Sequence, residues 1–214
     1  MKDMTQLVDF FDKGGPVLIV IVIVFFIGLF IFFERLFHLA RMRSKLSQLT
    51  GQAVSIISQG SISQLKQRFA RSNDPFSRSI VKLIDDMKSG QLIDKDRIES
   101  IHEDSVMKLA SGMRLLGTAT SVSPLLGFLG TTTGMVKIFA EIRRVGGLRE
   151  QAQFAGGISE ALYTTVAGLI SAITLTILSN ILWELIERYE AESRESFHKV
   201  SDLILEARRK GAQL

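Results

Sequence analysis

The chain has 214 residues, a net charge of +4, 46% hydrophobic residues and no cysteine, and its charges are excluded from three long apolar stretches. Without cysteine no disulfide framework or thiolate metal site can form, and the three scattered histidines show no ligand spacing. We expect His38, His102 and His198 to lie at surfaces or interfaces. Basic residues flank the apolar stretches, which favours membrane orientation over nucleic-acid binding. The sequence predicts an integral membrane protein that binds no nucleic acid.

The first apolar stretch is PVLIVIVIVFFIGLFIFF, residues 16–33. We predict a periplasmic N-terminus over 1–15 and transmembrane helix 1 over 16–34, because the stretch is long enough to span the hydrocarbon core. It is apolar on every side, which favours a lipid-facing wall helix. A cleaved signal peptide is not expected, since the run is long and its head is not basic. Four basic residues follow it, which predicts an external N-terminus and cytoplasmic residues after the span: Arg35, Arg41, Arg43 and Lys45.

Residues 35–112 are predicted to form a cytoplasmic helical segment. Gly60 and Gly90 are expected to end helices, and Asp74-Pro75 and Asp94 are expected to begin them. Helical spacing continues from Asp94 to Met113, which predicts one helix that runs directly into the second span.

The same segment shows no set of residues typical of an enzyme. It has no Ser/His/Asp arrangement, no glycine-rich phosphate loop and no carboxylate pair with a metal partner. Asp85-Asp86 and Glu103-Asp104 are expected to lie on solvated helix faces. We therefore expect neither catalysis nor a cofactor.

The second apolar stretch, MRLLGTATSVSPLLGFLGTTTGMV, covers residues 113–136 and predicts transmembrane helix 2 over 113–138. On a helical wheel its small and polar residues share one arc, and the opposite arc is apolar. Three glycines in that arc would allow a close approach of another helix. The alternative is that the hydroxyls only satisfy carbonyls of their own helix. The arc contains Ala119, Thr120, Ser123, Gly127, Gly130, Thr131 and Gly134.

The third stretch repeats this division. We predict a periplasmic loop over 139–156, transmembrane helix 3 over 157–183 and a cytoplasmic C-terminal helix over 184–214 that continues the third span. Two matching stripes on successive spans predict a shared polar interface within the membrane. The stripe of the third span contains Glu160, Ala161, Thr164, Thr165, Gly168, Ser171, Ala172, Thr176 and Ser179.

The predicted fold class is an all-α membrane protein with three transmembrane helices, the second and third extended into a cytoplasmic helical bundle. Neither stripe contains an acid in the middle of a span. If protons cross here, the titrating group is therefore expected on another chain. Glu160 lies near the start of the third span, where either a relay role or a favourable interaction with the helix dipole would explain it.

Two motifs resemble the ExbB/TolQ/MotA proton-channel subunits of bacterial inner-membrane motors: SPLLGFLGTTTGMVKIF at 123–139 and GGISEALYTTVAGL at 156–169. The order of spans fits the same family. At Thr132-Thr133 many ExbB and TolQ members have an apolar residue followed by an aromatic, which leaves the subfamily open. We favour an ExbB-like over a TolQ-like chain, and either over a MotA-type stator.

The resemblance implies a ring of five subunits around an ExbD- or TolR-like single-span partner, whose membrane aspartate takes up the proton. It implies that Thr131 and Thr165 are pore threonines and that Glu160 is the carboxylate of the third span. A TonB- or TolA-like effector would then receive the force, and no metal or cofactor is implied. The rival interpretation is a non-conducting membrane scaffold. The implied pore-facing stripe comprises Thr120, Ser123, Gly127, Gly134, Thr164, Gly168, Ser171, Ala172, Thr176 and Ser179.

Overall fold

A computed structural model describes residues 2–145 and 151–210, and the side chains within 15–144 and 156–210. The described residues are helical throughout apart from short turns, which confirms the all-α prediction. Residues 146–150, in the middle of the predicted periplasmic loop over 139–156, lie outside the described residues. A 3₁₀ helix at Lys108–Gly112 precedes the fifth α-helix. The α-helices are α1 Lys2–Ser58, α2 Ile62–Phe69, α3 Pro75–Lys88, α4 Lys95–Met107, α5 Met113–Val145 and α6 Gln151–Arg209.

The predicted helix boundaries of the middle segment are confirmed by their capping contacts. The Asp74 Oδ1 atom accepts a hydrogen bond from the Ser77 amide at 2.9 Å, with Pro75 as the first helical residue. The Asp94 Oδ1 atom accepts one from the Arg97 amide at 2.8 Å. Gly60 and Gly90 have φ angles of 76° and 77°, a left-handed conformation that glycine adopts without a steric penalty and that ends helices.

Two breaks modify the predicted helices. The prediction that one helix runs from Asp94 into the second span is wrong, because a 3₁₀ segment separates α4 from α5 at Lys108–Gly112. The sequence there ends in Ser111-Gly112, which are poor helix formers. In α1, Gly15 has a φ of 63° and a ψ of −170°, a conformation open almost only to glycine. The helix that contains the first span therefore starts afresh at Pro16.

Among the described residues, three helical stretches are long and apolar enough to cross a membrane, the second of which includes the 3₁₀ segment: Gly15–Ser58, Lys95–Arg144 and Gly156–Arg209. Their most apolar windows have mean hydropathies of 3.3, 1.3 and 1.9 respectively. All three exceed the predicted spans, since α1 continues to Ser58 and α6 continues without interruption to Arg209. The prediction that the third span continues as one long helix is confirmed. The limits of the membrane itself stay predictions.

The chain divides into two compact units, each built from two separate parts of the sequence. The first unit comprises the chain up to Glu34 together with Gly112–Ile181. Here α1 turns Leu18, Ile21 and Phe32 inward, while its other face exposes large apolar side chains, with Phe30 at 73% exposure. An apolar surface of this kind suits contact with lipid.

The second unit comprises Arg35–Ser111 and the chain from Leu182 onward. Its core is aromatic: Phe69 meets Phe76 edge-to-face at 6.2 Å, and Phe197 is fully buried. Tyr189 is also buried, and burial raises the pKa of its hydroxyl well above the ordinary value. On the surface the Arg43 guanidinium holds the Glu192 carboxylate through two hydrogen bonds of 2.5 and 3.1 Å.

Two polar residues of this unit are buried against expectation. His102 was expected at a surface or interface, yet it is fully buried, with its ring stacked on Phe197 at 5.6 Å. Asp86 was expected on a solvated face, yet it is 2% exposed. Its carboxylate receives hydrogen bonds of 2.5 and 2.9 Å from Arg97 and lies 2.9 Å from the Lys82 ammonium. A buried charge is tolerated when paired in this way.

We expect the second unit to lose stability between pH 6.5 and 4 because of His102. Burial lowers the pKa of this ring from 6.5 to about 4, so only the unfolded chain takes up the proton in that range. The stabilisation is present above the unfolded pKa and is lost as the pH falls. The free energy of unfolding is measured by denaturant titration in detergent at pH 7.5 and pH 5. Its decrease between these two pH values should be about 2 kcal/mol smaller for His102→Phe than for the wild type. The exposed His38, changed to Gln, serves as the control. Equal pH dependence in wild type and His102→Phe would contradict the assignment.

Candidate functional site: the contact between α5 and α6

Helices α5 and α6 lie antiparallel within the first unit and meet along a line of small residues. We call this contact the seam and define it as Ser123, Gly127, Gly130 and Gly134 on α5 with Gly157, Ala161, Thr164 and Gly168 on α6. A Cβ atom placed on Gly168 would lie 2.6 Å from the Ser123 carbonyl oxygen and 3.0 Å from the Gly127 Cα atom. Only glycine permits such a close approach of two backbones.

The same closeness extends along α5. A Cβ atom on Gly127 would lie 3.1 Å from the Thr164 carbonyl oxygen, and one on Gly134 would lie 2.9 Å from the Ala161 Cβ atom. A Cβ on Gly130 would collide with the Thr164 side chain. The two predicted small-residue stripes therefore contact each other, as expected, and both belong to the same chain.

One hydroxyl crosses the seam. Thr165 Oγ1 on α6 donates to the Gly127 carbonyl on α5 at 3.2 Å. On α5 itself, Thr131 Oγ1 donates to the next carbonyl along, that of Phe128, at 2.7 Å. The two threonines thus bind successive carbonyls of one helical turn. Each hydroxyl keeps acceptor lone pairs, so each can still receive a hydrogen bond from water or another side chain.

Most other residues of the predicted stripe are enclosed within the structure. Ser123 and Thr164 donate to carbonyls of their own helices, at 2.7 and 2.8 Å. Thr120, Thr131, Thr165 and Ser179 are partly exposed, and Thr176 is exposed. In a single chain the stripe is thus a helix contact with a partly open edge, and its orientation toward a pore stays a prediction. The enclosed residues are Ser123, Gly127, Gly134, Thr164, Gly168, Ser171 and Ala172.

An ion pair lies at one end of the seam. The Lys137 ammonium on α5 lies 2.6 Å from the Glu160 Oε1 atom on α6. The backbone of Gly15 also lies close to this carboxylate, since a Cβ atom placed there would collide with it. Along α6, Glu160 precedes Thr165 by five residues, or about 7.5 Å of helix. Sequence reasoning identified Glu160 but missed Lys137, although its charge at the end of an apolar span was a usable signal.

The fold and the seam define a multi-pass membrane protein whose last two spans share a polar, close-packed contact. The model of the MotA/TolQ/ExbB proton channel family matches residues 69–195, which is more than half of the chain. The chain belongs to the MotA/TolQ/ExbB proton channel family. The resemblance of the two motifs, both of which lie within the matched residues, is confirmed.

Curated relatives carry ExbB names. The chain is 37% identical over 87 residues to the putative biopolymer transport protein ExbB-like 1 of Synechocystis, covering 40% of this chain and 34% of that protein. It is 29% identical over 122 residues to the biopolymer transport protein exbB1 of Vibrio cholerae, covering 57% and 54%. It is 31% identical over 108 residues to the biopolymer transport protein ExbB of Pseudomonas putida, covering 50% and 32%. The chain thus spans from about a third to about half of the length of these relatives.

Substitution of Gly168 tests the seam. In Gly168→Ala the added methyl would press on the Ser123 carbonyl, and we expect a loss of about 1–3 kcal/mol from overpacking. The matched control is Gly117→Ala on α5, where an added Cβ meets no atom within 4 Å, and where alanine should be neutral or stabilising. Thermal unfolding in detergent measures both. A Gly168→Ala chain as stable as the control would mean that the helices do not touch here.

Proposed function

We propose that this chain is a proton-channel subunit of a bacterial inner-membrane motor driven by the proton motive force. It assembles as a homopentameric ring around an ExbD-like single-span partner and energises TonB-dependent transport across the outer membrane. Membership of the family and the ExbB names of the relatives support this proposal. The TolQ-like version, with a TolR-like partner and a TolA-like effector of the Tol-Pal system, is the nearest alternative.

The observation that carries the proposal is the hydrogen bond from Thr165 to the Gly127 carbonyl. The Thr131 hydroxyl binds the next carbonyl along α5, that of Phe128. A hydroxyl that bonds from one span to another is suited to hold water or relay protons where hydrocarbon would otherwise exclude both. Because glycine allows the two helices to approach closely, the Thr165 hydroxyl can reach the Gly127 carbonyl. In the proposed complex the partly exposed edge of the seam faces the partner helix.

The titrating group of the proposed channel belongs to the partner. Between Leu115 and Val136 on α5, and between Ala161 and Trp183 on α6, the sequence contains no acidic or basic residue. The hydroxyls can pass protons but cannot store one as a neutralised charge. A carboxylate on the partner's single span supplies that function, as the family resemblance implies.

Proton entry then does mechanical work through a change in solvation. A charged carboxylate is costly in a low-dielectric environment, and protonation removes that cost. The partner helix can therefore turn its neutral acid toward a less polar sector of the ring. Release of the proton on the other side restores the charge and completes a step, and an effector such as a TonB-like protein receives the movement.

The proposed topology has the N-terminus in the periplasm and the C-terminus in the cytoplasm. Basic residues after the first span and along the tail favour this orientation under the positive-inside rule. Arg143, Arg144 and Arg149 in the connection between the last two spans oppose it. Arg144 is paired with Glu141 at 2.6 Å.

A second candidate function is a non-conducting scaffold. The observation that favours it is the number of stripe hydroxyls bound to their own helices, such as Ser123 to Ala119 at 2.7 Å and Thr176 to Ala172 at 2.7 Å. Such hydroxyls satisfy backbone groups and pack helices without a pore. Proton flux into liposomes, measured with and without an ExbD-like partner, separates the two functions, since a scaffold gives no flux in either case.

Co-purification identifies the system that the chain serves. An ExbB-like chain should retain an ExbD-like partner and associate with a TonB-like effector, whereas a TolQ-like chain should retain a TolR-like partner. The retained proteins are identified by mass spectrometry of the complex after expression beside both candidate partners.

The threonine hydroxyls give the sharpest test of the channel. We expect Thr165→Val and Thr131→Val to assemble normally but to lower proton flux by about tenfold or more, because valine keeps the shape and removes the hydrogen-bonding group. Thr165→Ser should keep most of the flux. The control is Thr118→Val, an exposed residue whose hydroxyl binds the Arg114 carbonyl of its own helix. Full flux in both valine variants would refute the pore assignment.

The Glu160 and Lys137 pair separates relay from packing. We expect Glu160→Gln to lower proton flux while the complex keeps its thermal stability, because glutamine preserves size but cannot take up a proton. The single variant Lys137→Gln tests whether proton flux depends on the positive charge that is paired with Glu160. If Glu160→Gln leaves both flux and stability unchanged, the residue has only a role at the start of the helix.

A further inference from the structure

The second unit contains a groove of about 600 Å³ whose lining is strongly basic. It lies among α1, the α2–α3 region and the 3₁₀ helix. Seven lysine or arginine side chains line it, against the single carboxylate of Asp74. That carboxylate already accepts the Ser77 amide as a helix cap. The basic residues are Arg35, Arg41, Lys45, Arg68, Arg71, Arg78 and Lys108.

Most of this charge is not neutralised by the chain itself. Within the residues that the structure describes, Arg41, Lys45, Arg71 and Lys108 have no ion-pair partner. By contrast, Arg43 of the same unit is bound to Glu192 by two hydrogen bonds. Arg78 donates from Nη2 to the Ser105 carbonyl at 3.0 Å, while its buried Nε atom has no hydrogen-bond partner among the described residues.

The groove draws its residues from two places next to predicted membrane spans. Arg35 is the first residue after the predicted first span, and α1 carries the lining from there through Arg41 and Lys45. Lys108 and Leu109 come five and four residues before the predicted start of the second span at Met113. Two chain segments next to spans on the same predicted side thus meet in the groove, so the end that contains Arg35 and Lys108 lies close to the predicted membrane surface.

We propose that this groove binds the phosphate headgroup of an anionic phospholipid of the cytoplasmic leaflet. Guanidinium and ammonium groups form strong charge-assisted hydrogen bonds with phosphate, and basic pockets beside spans on the cytoplasmic side suit anionic headgroups. The apolar Met42, Leu49 and Leu109 in the lining offer contacts for the parts of the lipid nearest the headgroup. This site is separate from the proposed proton path, and it requires only the predicted topology.

The test compares two variants that each lose two positive charges. Lys45→Gln with Arg71→Gln alters the groove, and Arg208→Gln with Arg209→Gln alters exposed residues at the end of α6. The full-length assembled protein is exchanged into micelles that contain equal phosphatidylglycerol and phosphatidylcholine, and the retained lipids are counted by native mass spectrometry. We expect the wild type and the α6 variant to prefer phosphatidylglycerol, and the groove variant to lose that preference by about tenfold or more.

Further variants and conditions separate loss of lipid binding from loss of the fold, and a bound lipid from a soluble anion. Lys45→Arg with Arg71→Lys keeps the charges and should keep the preference, and Lys45→Gln alone, at an exposed position of α1, should show a smaller loss. Inorganic phosphate added to protein in phosphatidylcholine alone tests for a soluble ligand. The proposal is overturned if both neutral double variants lose the preference equally, if neither does, or if the charge-keeping variant loses it. It is also overturned if phosphate alone binds to the groove as well as the lipid does, or if the groove variant loses subunit assembly while it keeps the lipid.

Proton flux is measured separately in the same preparations. A groove variant that conducts normally but retains no phosphatidylglycerol preference supports the lipid site and the channel together. A wild type that prefers phosphatidylglycerol but conducts no protons would contradict the proposed function and leave the lipid site intact.

Discussion

The first unit depends on how closely the backbones of α5 and α6 approach each other. Lipid gives no hydrophobic drive between helices, so spans associate through tight packing and hydrogen bonds. Gly127 and Gly168 provide the packing, since their Cα atoms lie where any larger residue would force the helices apart. The bond from Thr165 to the Gly127 carbonyl follows from that spacing, because at 3.2 Å it is already near the limit of a hydrogen bond. Small side chains therefore determine where the hydroxyls can act.

The second unit is stabilised by different physical effects. Several of its carboxylates form ion pairs, and Asp86 is the clearest case. Burial raises the pKa of Asp86, but the hydrogen bonds from Lys82 and Arg97 outweigh burial and hold the pKa below its ordinary value. The same unit also has an aromatic core, in which Phe69, Phe76 and Phe197 are buried. The groove lined by Arg41 and Lys45 differs, because among the described residues these two side chains have no ion-pair partner.

Much of the seam could be predicted from the sequence, since glycine, alanine and hydroxyl residues recur there at helical spacing. The helix caps at Asp74 and Asp94 could also be predicted, because capping depends on residues close in sequence. The burial of His102 and Asp86 could not be predicted, because it depends on residues further along the chain: Phe197 stacks on the histidine, and Arg97 binds the aspartate. The break at Lys108–Gly112 was not predicted either, since the apolar spacing continues through it. A periodic pattern describes one helix face, and it carries little information about partners far away in sequence.

Each unit combines early and late parts of the chain, and this has a consequence for biogenesis. Arg43 and Glu192 are 149 positions apart, so at a synthesis rate of about 5–20 residues per second roughly 7 to 30 s separate their emergence from the ribosome. During that interval the segment after the first span lacks α6, which later supplies Tyr189 and Phe197 to its core. The second unit can therefore close only after the last span has been made. Insertion of the spans and maturation of the second unit are consecutive events, and a nascent chain stalled before α6 would leave its apolar surface open to chaperones and proteases.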